Sequence, residues 1–108
     1  MTYYHITLLS KLDSIMERGL LPMLGERSLE IQEHKKQVFL FPTIEDMENA
    51  MIGWLGDWYT EHYGEDTPLA LLEISVNSDF PIKKGQVDYE VVSEVTIPPQ
   101  YIKFIRIE

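Results

Sequence analysis

Asp88-Tyr-Glu-Val-Val-Ser-Glu-Val-Thr-Ile-Pro-Pro-Gln-Tyr-Ile102, near the C-terminus, is the stretch on which the reading of the fold turns. It sets one carboxylate, Glu90, among β-branched and aromatic residues. Val87, Tyr89 and Val91 alternate with Asp88, Glu90 and Val92, and that period of two predicts a strand with two distinct faces. Pro98-Pro99 ends the segment, because proline has no N–H for a ladder. Tyr101-Ile-Lys-Phe-Ile-Arg-Ile107 follows at once as a last strand. Glu94, four residues beyond Glu90, shares its strand face and is the rival carboxylate. At the other end of the chain, Tyr3-Tyr-His-Ile-Thr7 is another strand-like run. The first and penultimate strands are expected side by side, with His5 and Glu90 in one cleft.

Between these ends the pattern alternates helix and strand signals. Ser10 reads as a helix N-cap with Asp13 as an acidic capping-box partner, opening a helix over about 11–18 that Gly19 closes. Pro22 and Gly25 then break regular structure, and residues 29–36 are polar without a clear period. Val38-Phe-Leu-Phe41 is a compact apolar run read as a buried strand that Pro42 ends. Thr43 reads as the next N-cap, with Asp46 three residues on. Met47, Ala50, Met51, Trp54, Leu55 and Trp58 recur at helical spacing, while Gly53 and Gly56 are placed to divide that helix into two pieces ending near Tyr63-Gly64. Leu69-Ala-Leu-Leu-Glu-Ile-Ser-Val76 is nearly all apolar, the mark of a central strand covered on both faces. Two main helices early in the chain and about five to six strands predict a single α+β domain rather than a doubly wound sheet.

Composition narrows the function classes. The chain has 108 residues, 44% hydrophobic and 25% charged, ordinary values for one soluble domain. It has no cysteine, so thiolate and disulfide chemistry are absent. No apolar run reaches the ~20 residues that span a bilayer, and the first residues do not read as a signal peptide, so a cytoplasmic location is expected. Eighteen acidic against nine basic residues give a formal charge of −9. That field repels phosphate backbones and argues against direct nucleic-acid binding, while favouring a protein partner with a basic surface. His5, His34 and His62 are scattered outside any paired-ligand motif, so no metal site is expected. Nor is there a nucleophile elbow or a phosphate-binding glycine loop. Trp54, Trp58, Tyr59 and Tyr63 read first as core anchors and second as a ligand-stacking wall. Glu45, Asp46 and Glu48 read as the solvated first turn of a helix.

Taken singly, His5 and Glu90 would be ordinary strand residues. Taken in order, the motifs resemble the ADP-ribosyltransferase fold. Tyr4-His-Ile-Thr7 is similar to the strand that opens the family's NAD pocket, and Ser14-Ile-Met-Glu-Arg-Gly-Leu-Leu-Pro22 to the helix and turn after it. Tyr89-Glu-Val-Val through Ile97-Pro-Pro-Gln-Tyr-Ile102 is similar to the strand bearing the family's glutamate, followed by an edge strand. Small bacterial and phage members, DNA-targeting ADP-ribosyltransferase toxins and RNA 2′-phosphotransferases resemble it in this order, over nearly the whole chain.

The resemblance implies a split or mixed β-sheet and NAD as co-substrate. It gives Glu90 the stabilising carboxylate role, because breaking the nicotinamide–ribose bond builds positive charge on the sugar. Its distance to Pro98-Pro99 favours it over Glu94. His5 would hold the other ribose and Thr7 the nicotinamide end. Arg27 or Ser28, after the first helix, would contact the pyrophosphate or adenosine. Where the family often stacks a tyrosine on nicotinamide, this chain offers Phe39 and Phe41. The resulting expectation is a small mono-ADP-ribosyltransferase acting on a protein target, as a toxin or a phage-encoded modifier of host machinery. The alternative is a non-catalytic acidic protein of the same fold, such as an anti-CRISPR or other anti-defence inhibitor that blocks a basic nucleic-acid-binding surface.

Overall fold

The computed structural model describes residues 1–22, 36–85 and 89–108. Among them β1 (Thr2–Leu8), β3 (Leu69–Ser75) and β6 (Ile102–Ile107) form one sheet in the order β1-β3-β6. The second sheet, in the order β2-β5-β4, consists of β2 (Val38–Leu40), β4 (Ile82–Lys84) and β5 (Val91–Ser93). Helices α1 (Leu12–Arg18), α2 (Ile44–Ile52) and α3 (Trp54–Tyr63) complete an α+β domain. Its radius of gyration is 13.0 Å, the compactness expected of a folded chain of this length.

β3 is the spine. Ala70, Leu71, Leu72 and Ile74 are all 0% exposed. Ala70, Leu72 and Ile74 face a core with Tyr3, Ile15, Val38, Leu40, Ile97 and Ile102. Leu69 and Leu71, on the opposite face, meet Ile6, Phe41, Met47, Leu55 and Tyr59 beneath α2 and α3. A strand covered on both faces has no polar side to display, which is why its sequence does not alternate.

The two sheets join at one point. Tyr4 N–H donates to the Phe41 carbonyl and Phe41 N–H to the Tyr4 carbonyl, each at 2.8 Å. β2 therefore leaves β5 at Leu40, whose partner is Val91, and its next residue turns to β1. The sheet is split as expected, but every pairing among the described strands is antiparallel rather than mixed.

Three expectations need correction. β1 and the penultimate strand β5 are not side by side: β2 stands between them, because the Phe41 backbone pairs with β1. The predicted strand through Tyr89 and Glu90 begins only at Val91, with Tyr89 in a turn. A strand extends only as far as its neighbours supply partners, and β2 supplies three residues. The Glu90 carbonyl accepts instead from Gly85 N–H at 2.9 Å. Ser10 is not the cap of α1. It lies in a 3-10 turn, Leu9–Lys11, whose bond from Leu12 N–H to the Leu9 carbonyl satisfies an amide that a serine cap would otherwise take.

Other local readings hold. Gly19 caps α1 at φ +90°, and a Cβ there would lie 2.3 Å from the Ile97 carbonyl oxygen. Glycine is thus required where Leu20 bridges Ile97. Thr43 caps α2, its side chain accepting from Asp46 N–H at 3.0 Å. Gly53 separates α2 from α3. Among the described residues no helix is long and apolar enough to cross a membrane.

Candidate functional site

The split between the sheets leaves a hollow, lined by His5 and Ile6 of β1, Phe39 of β2, Phe41, Trp54, Leu55 and Tyr59 of α3, and Glu90. His5 and Glu90, from opposite ends of the chain, thus share it although their strands are not neighbours. Glu90 reaches the hollow because it precedes β5 where β2 has turned away, leaving it at the mouth of the split.

The groups have defined surroundings. Glu90 is only 4% exposed. A Cβ on Gly85 would stand 2.9 Å from the Glu90 carbonyl oxygen and 2.9 Å from its Oε1, so the bare glycine makes room for this carboxylate. His5 Nδ1 lies 2.8 Å from the Phe39 carbonyl oxygen. A carbonyl has no proton to give, so Nδ1 carries the hydrogen, and in the neutral ring Nε2 is an acceptor. Among the described residues no buried side-chain nitrogen or oxygen lacks a partner.

Aromatic residues wall the hollow. Trp54 Nε1–H donates to the Tyr89 hydroxyl at 2.7 Å, and the Tyr89 ring stacks on Phe41 with centroids 6.5 Å apart and planes 10° from parallel. Tyr59, buried in α3, donates its hydroxyl to the Ile6 carbonyl at 3.4 Å. Beyond Trp54 and Tyr89 lies a second space of about 140 Å³, bounded by Asp46, Asn49 and Ala50. The main hollow is narrow. About 370 Å³ opens among its side chains, of which only about 30 Å³ is wide enough for the centre of a water molecule. Pockets that take whole organic ligands run to roughly 300–1,000 Å³. In this arrangement the hollow admits a sugar hydroxyl or the edge of a ring, and a dinucleotide requires a wider opening.

The remaining candidates fall in different places. Phe41 lines the hollow, with Phe39 beside it. Thr7 is buried on β1 opposite Ala70 and does not line it. Glu94 follows β5 on an exposed bend and is paired with Lys83 at 2.7 Å, away from the hollow. Arg27 and Ser28 lie outside the described residues. Trp54 and Trp58 pack against the core beneath α2 and α3, as the helical spacing indicates, yet Trp54 also forms a wall of the hollow. That double role was legible only in part, because spacing marks a buried helix face without saying that the face borders a cavity. Tyr89 falls in the run predicted as a strand, and its partnership with Trp54 has no sequence signal. Among the described residues no group of three or more His, Asp or Glu side chains is arranged to hold a metal ion.

With the fold and hollow in view, comparison with protein-family models, curated proteins and solved structures finds no match to this chain.

Proposed function

We propose that the hollow is the NAD site of a small mono-ADP-ribosyltransferase that modifies a protein target, as a toxin or a phage-encoded modifier working in the cytoplasm. The observation that carries this reading is the presence of His5 and the buried Glu90 in one hollow at the split between two sheets. The resemblance in motif order supports it independently of the geometry.

The residue types suit a ribose. Glu90 accepts a hydrogen bond from a ribose hydroxyl and holds negative charge beside the carbon that loses nicotinamide. Nicotinamide would leave with the electron pair of the broken bond, while the target nucleophile would bond to that carbon and release its proton to water. His5, its proton held on Nδ1 by the Phe39 carbonyl, offers Nε2 to a hydroxyl of the other ribose. Phe41 supplies an aromatic face once Tyr89 withdraws from it. Asp46 and Asn49 border the extra space that the parting of Trp54 and Tyr89 would join to the hollow.

Isothermal titration with NAD, together with detection of released nicotinamide, tests the reading. Glu90→Gln is expected to lower turnover about 10²–10³-fold with little change in NAD affinity. His5→Ala is expected to weaken NAD binding about tenfold by losing one hydrogen bond in a partly buried site. Absence of NAD binding at millimolar concentration sinks the proposal. The narrowness of the hollow would then favour the second reading, a non-catalytic acidic protein that occupies a basic surface of its partner.

A further inference from the structure

A wider depression borders α2 and α3 and shares Tyr59 with the hollow as a wall residue. Its volume, about 530 Å³, lies in the range that accommodates a whole ligand or several side chains. The apolar part includes Met47, which is fully buried, and Leu69. Ile52 at the edge is 84% exposed, the most exposed large hydrophobic side chain among the described residues. Gly56 lets α3 start close against α2, since a Cβ there would meet the Met51 carbonyl oxygen at 1.8 Å. The groove therefore owes its shape to a tight helix–helix junction.

Its rim is acidic. Glu48 and Glu108 share Arg106, whose guanidinium lies 3.5 and 3.0 Å from them. Asp57 and Glu65, also on the rim and exposed, have no ion-pair partner among the described residues. No lysine or arginine lines the groove among the described residues.

We propose that this groove docks a basic segment of a protein partner, an amphipathic helix whose apolar anchor fills the groove while lysines or arginines meet Asp57 and Glu65. Charge complementarity selects this occupant. A second copy of the chain would bring its own −9 charge to an acidic rim, and a nucleic acid would bring phosphates. A small molecule would leave Ile52 uncovered at the lip, whereas a helix laid along α2 and α3 covers it. Methionine suits such a floor because its unbranched side chain adapts to different anchors. The inference stands apart from NAD chemistry, since none of its contacts includes His5 or Glu90.

Fluorescence anisotropy with a labelled helix-forming peptide of leucine and lysine tests it, a leucine–glutamate peptide serving as control. The basic peptide is expected to bind the intact chain and the acidic one not to. Asp57→Lys/Glu65→Lys should weaken binding at least about tenfold, and Ile52→Asp to a similar extent. Asp13→Lys/Glu17→Lys makes the same change of net charge on exposed positions of α1 and should alter affinity less than about twofold. Circular dichroism confirms that each variant is folded. Equal losses in the two double variants would reduce the effect to net charge and overturn the proposal, as would binding of the acidic peptide or of neither. A dimer of the intact chain that Ile52→Asp dissociates in sedimentation would instead make the groove a self-interface, and also overturns it.

Discussion

The β1-β3-β6 sheet and the β2-β5-β4 sheet are built to different standards. The first has strands of seven, seven and six residues around a spine with both faces covered. The second has three strands of three residues each, one of them, β4, largely exposed. Long ladders with deep burial resist local opening, while short ladders at a sheet margin open at lower cost. The carboxylate of the candidate site stands just ahead of β5 in the weaker sheet, and the imidazole sits on β1 of the stronger. Such a division suits the widening that the proposed NAD binding calls for: one wall is held while the other yields. Trp54, a wall of the hollow, is bonded to Tyr89, just ahead of the short strand β5.

The largest effect is expected from attacking the spine. Leu72→Ala, at a position 0% exposed in β3, should cost about 2–5 kcal/mol, because lost burial and a residual cavity add. Val92→Ala in β5, 3% exposed, should cost about 1–2 kcal/mol, for two methyl groups removed rather than three carbons. Denaturant unfolding of both variants measures the difference. Equal costs would erase the contrast between the sheets.

Gly85→Ala sharpens the contrast at the site. The added Cβ would press on the Glu90 carbonyl oxygen, Oε1 and Cγ at 2.9–3.1 Å, so the carboxylate must shift. NAD affinity is expected to fall about tenfold while the melting temperature drops by only a few degrees, about 1 kcal/mol of strain. A fall in stability without change in binding would detach Glu90 from the ligand.

Tyr89→Phe removes the hydroxyl that Trp54 donates to and keeps the ring on Phe41. One net hydrogen bond is worth about 1 kcal/mol, so opening becomes easier by that amount, and NAD is expected to bind up to about fivefold tighter. Weaker binding would show that the closed wall serves the ligand and does not obstruct it.

The smallest effect belongs to the Lys83–Glu94 pair across the edge of the short sheet. Its side chains are 62% and 35% exposed, and Lys83→Ala should cost about 0.2–1 kcal/mol, shrinking further at high salt. A larger loss in thermal unfolding would mean that β4 and β5 depend on charge more than on their backbone ladder.

These two regions also differ in how far they could be read in advance. β3, the Thr43 and Gly19 caps and the Gly53 break follow from local chemistry, because each depends on residues within a few positions of one another. The β1 run was legible for the same reason. β4 carries no strand signal of its own: Ile82-Lys-Lys84 has no apolar face, and only its pairing with β5 makes it a strand. The reach of β5 has no local signal either, since its length depends on β2.

By itself, then, the order of residues determined an acidic α+β chain with a central strand covered on both faces and helix ends at Thr43 and Gly19. Periodicity and capping act over a few residues, so they survive without knowledge of the rest. Tertiary structure alone decided that β2 parts from β5 at Leu40 to join β1 at Tyr4, and hence that His5 and Glu90 face one hollow with a strand between their own. It likewise decided that Trp54, a wall of that hollow, is bonded to Tyr89. Pairings between residues far apart in sequence depend on which backbone groups find partners in the assembled sheet, and no local pattern encodes that choice.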